Sequence, residues 1–226
     1  MIDKTSLDIK TVISKIHDGA TVMTSGFGSA GKPFELIDAL VEHGAKDLTI
    51  VSNNAGNAEY GLAALLKAGL VRKIICSYPR QSDSYVFDEL YRSKKIELEL
   101  VPQGTLVCRM QAAGMGLGAV FTPTAYGTLL AEGKETREID GKHYVLEYPI
   151  QADFALIKAY QGDRWGNLIY RKTARNFGPI MAAAAKCTIA QVQEIVPLGD
   201  LNPEHIVTPG IFVQHVVSTG VSHHDL

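Results

Sequence analysis

Gly26-Phe27-Gly28-Ser29-Ala30-Gly31-Lys32-Pro33 satisfies G-x-G-x-x-G and nearly spells the P-loop, with G-x-x-x-x-G-K but no Ser or Thr after it. A loop of this kind leaves backbone N–H groups free, and a helix starting just beyond it adds the positive end of its dipole. Such a loop suits an anion or an oxyanion. Two features count against a dinucleotide site. Pro33 pushes the residue before it out of the helical region, where a Rossmann helix would already have begun. The following strand also closes on Val51-Ser52-Asn53 rather than on the acidic residue that would hold a ribose. A nucleotide triphosphatase is disfavoured as well, because Pro33 occupies the place of the Ser or Thr that binds Mg²⁺. What remains is an anion-cradling loop, Ser25 to Gly31, with Lys32 at its exit; a tight turn without a ligand is the alternative.

Three further stretches carry polar side chains where strands should end. Asn53 and Asn54 follow one strand, Gln103 follows another in Val101-Pro102-Gln103-Gly104, and Arg80 opens Arg80-Gln81-Ser82-Asp83-Ser84. Amides can stabilise a developing oxyanion without titrating, and a guanidinium can grip a carboxylate with two N–H groups. Each alone reads as a turn or a cap, but loops at corresponding strand ends favour a shared site. Arg171, Arg175, Asn176 and Phe177 form a polar cluster for which a structural role is at least as good a reading as a ligand role. Gly114-Met115-Gly116-Leu117-Gly118 and Phe121 to Gly127 read as a long flexible stretch, a lid or an interface. There is no Ser-His-Asp order, no G-x-S-x-G elbow and no histidine spacing for metal, and His223-His224 reads as a solvated tail.

These loops need a scaffold, and the hydrophobic pattern supplies one. Ile9, Val12, Ile13 and Ile16 mark a helix, Ala20 to Thr24 a strand, and Leu36, Ile37, Leu40 and Val41 the inner stripe of a helix closed by Gly44. Strands over Leu48 to Val51, Lys73 to Ser77 and Ile96 to Val101 alternate with helices over Leu62 to Lys67 and Val86 to Arg92. That alternation predicts βαβ units and a mainly parallel open sheet with flanking helices, an α/β fold. Asp140-Gly141 between Thr136 to Ile139 and His143 to Tyr148 predicts an antiparallel hairpin addition. Ala152 to Tyr160 and Asn167 to Tyr170 read as strands around a turn at Gly162 to Gly166. A helix over Pro179 to Lys186 and a last strand over Phe212 to Val217 complete a single domain across residues 1–226.

Composition narrows the function classes. The 24 acidic and 22 basic residues leave a net charge of −2, so no basic field draws nucleic acid or anionic lipid. Hydrophobic residues make up 46%, enough for a full core, yet no run reaches the length of a membrane span. Met1-Ile2-Asp3-Lys4-Thr5 lacks the apolar core of a secretory signal. Cys76, Cys108 and Cys187 are far apart and odd in number, which argues against a disulfide framework or a zinc site. The expectation is a cytoplasmic, metal-free protein.

Taken together, Asp18-Gly19, the strand after it, Ser25-Gly26-Phe27, Gly31 and Pro33 resemble the signature of the A subunit of family I coenzyme A transferases. Ser25 stands where that signature usually has a glycine. Ser52-Asn53-Asn54-Ala55-Gly56, Val101-Pro102-Gln103-Gly104-Thr105 and Ala174-Arg175-Asn176-Phe177 are similar to other segments of the family, in order, from about Asp18 to Val217. Cys76 to Arg92 looks most like the branch acting on 3-oxoadipate, and the acetoacetate branch differs in this loop.

The resemblance implies a two-subunit enzyme, heterodimeric or heterotetrameric, that moves coenzyme A from succinyl-CoA to an oxoacid. The acyl group passes through a glutamate in a Ser-Glu-Asn-Gly segment of a B subunit, and no such segment occurs here. Gln103 with Asn53 or Asn54 would then donate to the oxyanion. Ser25, Gly26, Phe27, Gly28, Ser29, Ala30, Gly31 and Lys32 would bind CoA or substrate, and Arg80 would take a carboxylate. CoA thioester would be a substrate rather than a resident cofactor. Alternatives are another short-chain oxoacid as acceptor, a phosphosugar isomerase, or a ligand-binding regulator of the same fold.

Overall fold

Short apolar runs alternate with amphipathic stretches along most of the chain, and each pair folds into one strand and one helix. The computed structural model describes residues 2–6 and 8–220, so the expected tail at His223-His224 lies outside the described residues. In chain order come β1 (Thr5–Ser6), α1 (Ile9–Ile13), β2 (Thr21–Thr24), α2 (Phe34–His43), β3 (Leu48–Val51), α3 (Leu62–Lys67) and β4 (Val71–Cys76). Then follow α4 (Tyr85–Arg92), β5 (Glu97–Leu100), α5 (Gln103–Gly114), β6 (Val120–Thr122), β7 (Thr136–Ile139) and β8 (Lys142–Glu147). The chain continues through β9 (Ala152–Lys158), β10 (Gln161–Asp163), β11 (Leu168–Ile169), α6 (Gly178–Ala184), β12 (Ala185–Val192), β13 (Glu194–Val196) and β14 (His215–Ser218).

Eight strands form one sheet in the order β1-β14-β12-β9-β2-β3-β4-β5, every neighbouring pair parallel. Its strands alternate strictly between two cores. Val22, Ile50, Ile74, Leu156, Ile189 and Val217 face α1 to α4, while Met23, Val51, Ile75, Ala155, Ala190 and Val216 face α5 and α6. A parallel sheet covered on both faces needs apolar residues at nearly every position, which is why its strands read as continuous runs. From β2 the chain builds outward through β3, β4 and β5; from β9 it builds the other way through β12 and β14. The direction reverses between β2 and β9, and α/β proteins place ligands outside the carboxyl ends of strands at such a point.

The hairpin forms as expected: β7 pairs with β8 around Asp140 (φ 50°) and Gly141 (φ 72°), two left-handed residues as in a type I′ turn. Several boundaries differ from the sequence reading. The predicted helix to Lys186 stops at Ala184, and β12 begins at the next residue, a central strand absent from the sequence reading. Of Ala152 to Tyr160, the strand β9 enters the main sheet and only Tyr160 bonds to Ile169, so β10 is the partner of β11. The final strand starts at His215, after a 3₁₀ turn over Gly210–Phe212. The stretch read as a lid or an interface is anchored at Gly114 and over Val120–Thr122, with Met115, Leu117 and Tyr126 exposed. Gly114 ends α5 against α6, where a Cβ would lie 2.9 Å from Ala183 Cβ, and β6 pairs with β8.

Candidate active site

The glycine loop leaves β2 at the switch point and is tied down from three sides. Ser25 Oγ donates to Gly31 O at 2.6 Å and accepts the N–H of Lys158 at 3.1 Å, closing the loop and joining it to the end of β9. This is the residue that departs from the family signature, and a hydroxyl makes both contacts. Phe27 and Ala30 exchange backbone hydrogen bonds at 3.0 and 3.2 Å, a tight turn across Gly28-Ser29. Asn176, from the loop before α6, accepts the N–H of Gly26 at 3.1 Å and donates to Ala30 O at 2.9 Å. Gly31 must be glycine here: its φ is +72° and a Cβ would sit 2.5 Å from Ala174 O. Sequence reasoning placed Asn176 in an ambiguous polar cluster, and only the fold shows it bracing the loop across 150 positions.

Asn53 and Asn54 stand at the end of β3, 5% and 3% exposed. Asn53 Oδ1 accepts from Ser77 Oγ at 2.6 Å, and Asn54 Oδ1 accepts the N–H of Gly56 at 3.0 Å. Each carboxamide is thereby held by its oxygen, and its NH₂ is the end left to donate. The loop after β3 is stapled to the loop after β4, with Asn57 Nδ2 donating to Gln81 Oε1 and Ser84 Oγ to Gly56 O at 3.1 Å. Gln81 is thus a holding residue for the Asn54 loop.

Between the glycine loop and the Asn54 loop lies a recess of about 30 Å³, lined among others by Gly28, Ser29, Lys32, Asn54, Asn57 and Tyr60. Among the described residues, its lining includes no carboxylate. Lys32 runs beneath Gly26, where a Cβ would approach its Cε to 2.8 Å. The ammonium is buried with no hydrogen-bond partner, and burial lowers its pKa from 10.5 to about 8. The glycine loop, Asn54 and Lys32 are therefore brought together.

Gln103 and Arg80 share the same carboxyl edge but lie outside this recess. Gln103 opens α5 and is exposed. Its strand, β5, is separated from β3 by β4, which at ~4.8 Å per strand sets it roughly 10 Å to the side of Asn53. Arg80 is exposed and its Nε donates to Asp88 Oδ1 at 2.6 Å. Glu59, beside the Asn54 loop, is exposed and bonded to Lys67 at 2.7 Å, which holds its carboxyl below the usual range. Cys76 is buried, pushing its thiol up to about 12, so it offers no thiolate. Among the described residues there is no cluster able to hold a metal, and no helix is long and apolar enough to cross a membrane.

Residues 7–219 match the family model described as Coenzyme A transferase. The A subunit of the 3-oxoadipate CoA-transferase of Acinetobacter baylyi is 72% identical over 217 residues, covering 96% of this chain and 95% of that protein. The A subunit of the succinyl-CoA:3-ketoacid coenzyme A transferase of Helicobacter pylori is 46% identical over 215 residues, covering 95% of this chain and 92% of that one. In fold, glutaconate coenzyme A-transferase from Acidaminococcus fermentans superposes with a TM-score of 0.84 at 22% identity, over 96% of this chain and 76% of that chain. An eight-stranded parallel sheet with a glycine loop at its switch point, matched nearly end to end by these relatives, leaves one assignment: the chain belongs to the coenzyme A transferase family.

Proposed function

We propose that this chain is the A subunit of a cytoplasmic transferase that moves coenzyme A from succinyl-CoA to 3-oxoadipate. The observation that carries the chemistry is the recess beside the glycine loop: amide donors and a cation, with no carboxylate among the described lining residues. The acyl acceptor then comes from a partner B subunit, in the form of a glutamate. The substrate is supported by the name of the Acinetobacter relative at 72% identity.

In this reading the partner's carboxylate attacks the succinyl-CoA carbonyl, and the tetrahedral oxyanion collapses with loss of CoA thiolate to an acyl-glutamyl anhydride. The thiolate returns to the glutamyl carbonyl, releasing succinate and leaving a glutamyl-CoA thioester. 3-Oxoadipate runs the same two steps in reverse and leaves as its CoA thioester. Covalent catalysis divides one difficult exchange into easier ones. Each addition places negative charge on a carbonyl oxygen, which Asn53 or Asn54, held by its carboxamide oxygen, stabilises from the end of β3, with Gln103 donating from the exposed start of α5. The loop from Ser25 to Gly31 lies against CoA or its thioester carbonyl, and Arg80 stands on the rim as a cation for anionic substrate. CoA is a substrate, and no resident cofactor or metal takes part.

Phe27, Tyr60, Tyr78 and Tyr85 are all exposed around this same edge. Aromatic side chains are enriched at protein interfaces, so this edge is the face offered to the B subunit, in a heterodimer or heterotetramer. Mixing the purified chain with its B partner and following succinyl-CoA consumption with each oxoacid tests the reading. Turnover only in the mixture, faster with 3-oxoadipate than with acetoacetate, is expected; preference for acetoacetate rejects the substrate.

A further inference from the structure

We propose that Lys32 seats the distal carboxylate of a dicarboxylic acyl group, so that this buried ammonium selects diacids over monoacids. The inference rests on the transferase reading and specifies how its site chooses substrate. Lys32 lies at the exit of the glycine loop, next to Pro33 at the N-cap of α2, and is 4% exposed. Its Nζ has no hydrogen-bond partner, yet the residue lines the recess with Gly28, Ser29, Asn54, Asn57 and Tyr60. A buried charge without a partner is costly to the fold, and a ligand of opposite charge removes that cost.

The surroundings supply no counter-charge of their own among the described residues. Tyr60 is the titratable neighbour in the lining. Of the nearby carboxylates, Glu35 is engaged by Gln191 and Glu59 by Lys67. The N-terminus of the ten-residue α2 begins one residue after Pro33 and adds partial positive charge on the same side. A recess of about 30 Å³ is narrow, which suits the tip of a carboxylate. Asn54 on the same lining joins this seat to the oxyanion donors. Lys32 is then the inner cation and Arg80 the outer one.

The test compares wild-type and Lys32→Met chains, each assembled with the B subunit, using succinate and 3-oxoadipate against butyrate and acetoacetate. KM for the diacids should rise roughly 10- to 100-fold relative to that for the monoacids, the scale of a charge-assisted hydrogen bond. In the wild type, diacid KM should climb as pH passes about 8 while monoacid KM does not, and the variant should lose this dependence. Equal changes for both acid classes, or a pH profile shared by both, would overturn the proposal. So would selectivity lost in Arg80→Met but kept in Lys32→Met, which places the seat on the rim. A defect that disappears with a dephospho-CoA donor would assign Lys32 to a CoA phosphate and also overturn it. The wild-type pH profile needs no variant, and succinate against butyrate decides the matter even if 3-oxoadipate is not the acceptor.

Discussion

Asn176 Oδ1 accepts the N–H of Gly26 at 3.1 Å, a bond between residues 150 positions apart that fixes the glycine loop to the loop before α6. Gly26 has φ +121°, a conformation that only glycine holds easily, so its N–H direction depends on this acceptor. Asn176→Ala should leave that N–H without its partner, leave Ala30 O with only the N–H of Phe27, and cost about 1–3 kcal/mol of stability. Denaturant unfolding measures the loss. Turnover of the assembled enzyme should fall as well, because the N–H groups of the loop lose their aim.

The glycines of the loop should separate fold from function. At Gly31 a Cβ meets Ala174 O at 2.5 Å and φ is +72°, so Gly31→Ala should destabilise the chain. At Gly28 a Cβ meets nothing within 4 Å, although φ is +60°. Gly28→Ala should therefore unfold near the wild-type midpoint, less the strain of a left-handed alanine, and still weaken acyl-CoA by occupying open space beside the recess. Equal stability of the two variants would refute this division.

The sheet that carries the site was legible from β2 to β5, where each strand is bracketed by glycine or by a helix with a clear inner stripe. β12 was not, because Ala185–Val192 is buried on both faces from Thr188 onward and follows α6 without a turn, so nothing in the pattern marks the change. α5 was hidden too: Pro102, Gln103 and Gly104 look like a turn, yet Pro102 sits at the N-cap and the helix runs on to Gly114. The polar residues of the site could be found by their place after strands. Their pairing could not, since Ser25 with Lys158 and Gly26 with Asn176 meet only once β9 lies beside β2.

Lys32 makes stability depend on pH with a definite sign. Its folded value, about 8, lies below the 10.5 of an exposed lysine, so between those limits the unfolded chain binds more protons and the wild type gains stability as pH rises. At ~1.4 kcal/mol per pKa unit the cost of the buried charge is about 3 kcal/mol, complete below pH 8 and gone above pH 10.5. Lys32→Met should accordingly be more stable than wild type at pH 7, and the difference should close as pH approaches 10.5. Thermal or urea unfolding across this range checks it, and a pH-independent difference would contradict it.

The oxyanion role divides between residues of different exposure. Gln103 is exposed at the start of α5, so Gln103→Ala should leave stability nearly unchanged and lower turnover about 10²–10³-fold, as loss of one such donor does. Asn54→Ala should lose turnover similarly and some stability too, because Asn54 is buried and holds Gly56 N–H. Full turnover in Gln103→Ala would remove that residue from the mechanism.

Glu59 is the carboxylate of this chain nearest in sequence to the Asn53-Asn54 loop, and its bond to Lys67 turns it to the surface. The central claim is that the acyl group is carried by the partner and not by this chain. Incubating the assembled enzyme with acyl-CoA, trapping the glutamyl-CoA thioester and mapping it by mass spectrometry tests that claim. The label should fall on a glutamate of the B subunit, and the purified chain alone should not turn over. A label on Glu59, or transfer of CoA by this chain without a partner, would contradict it.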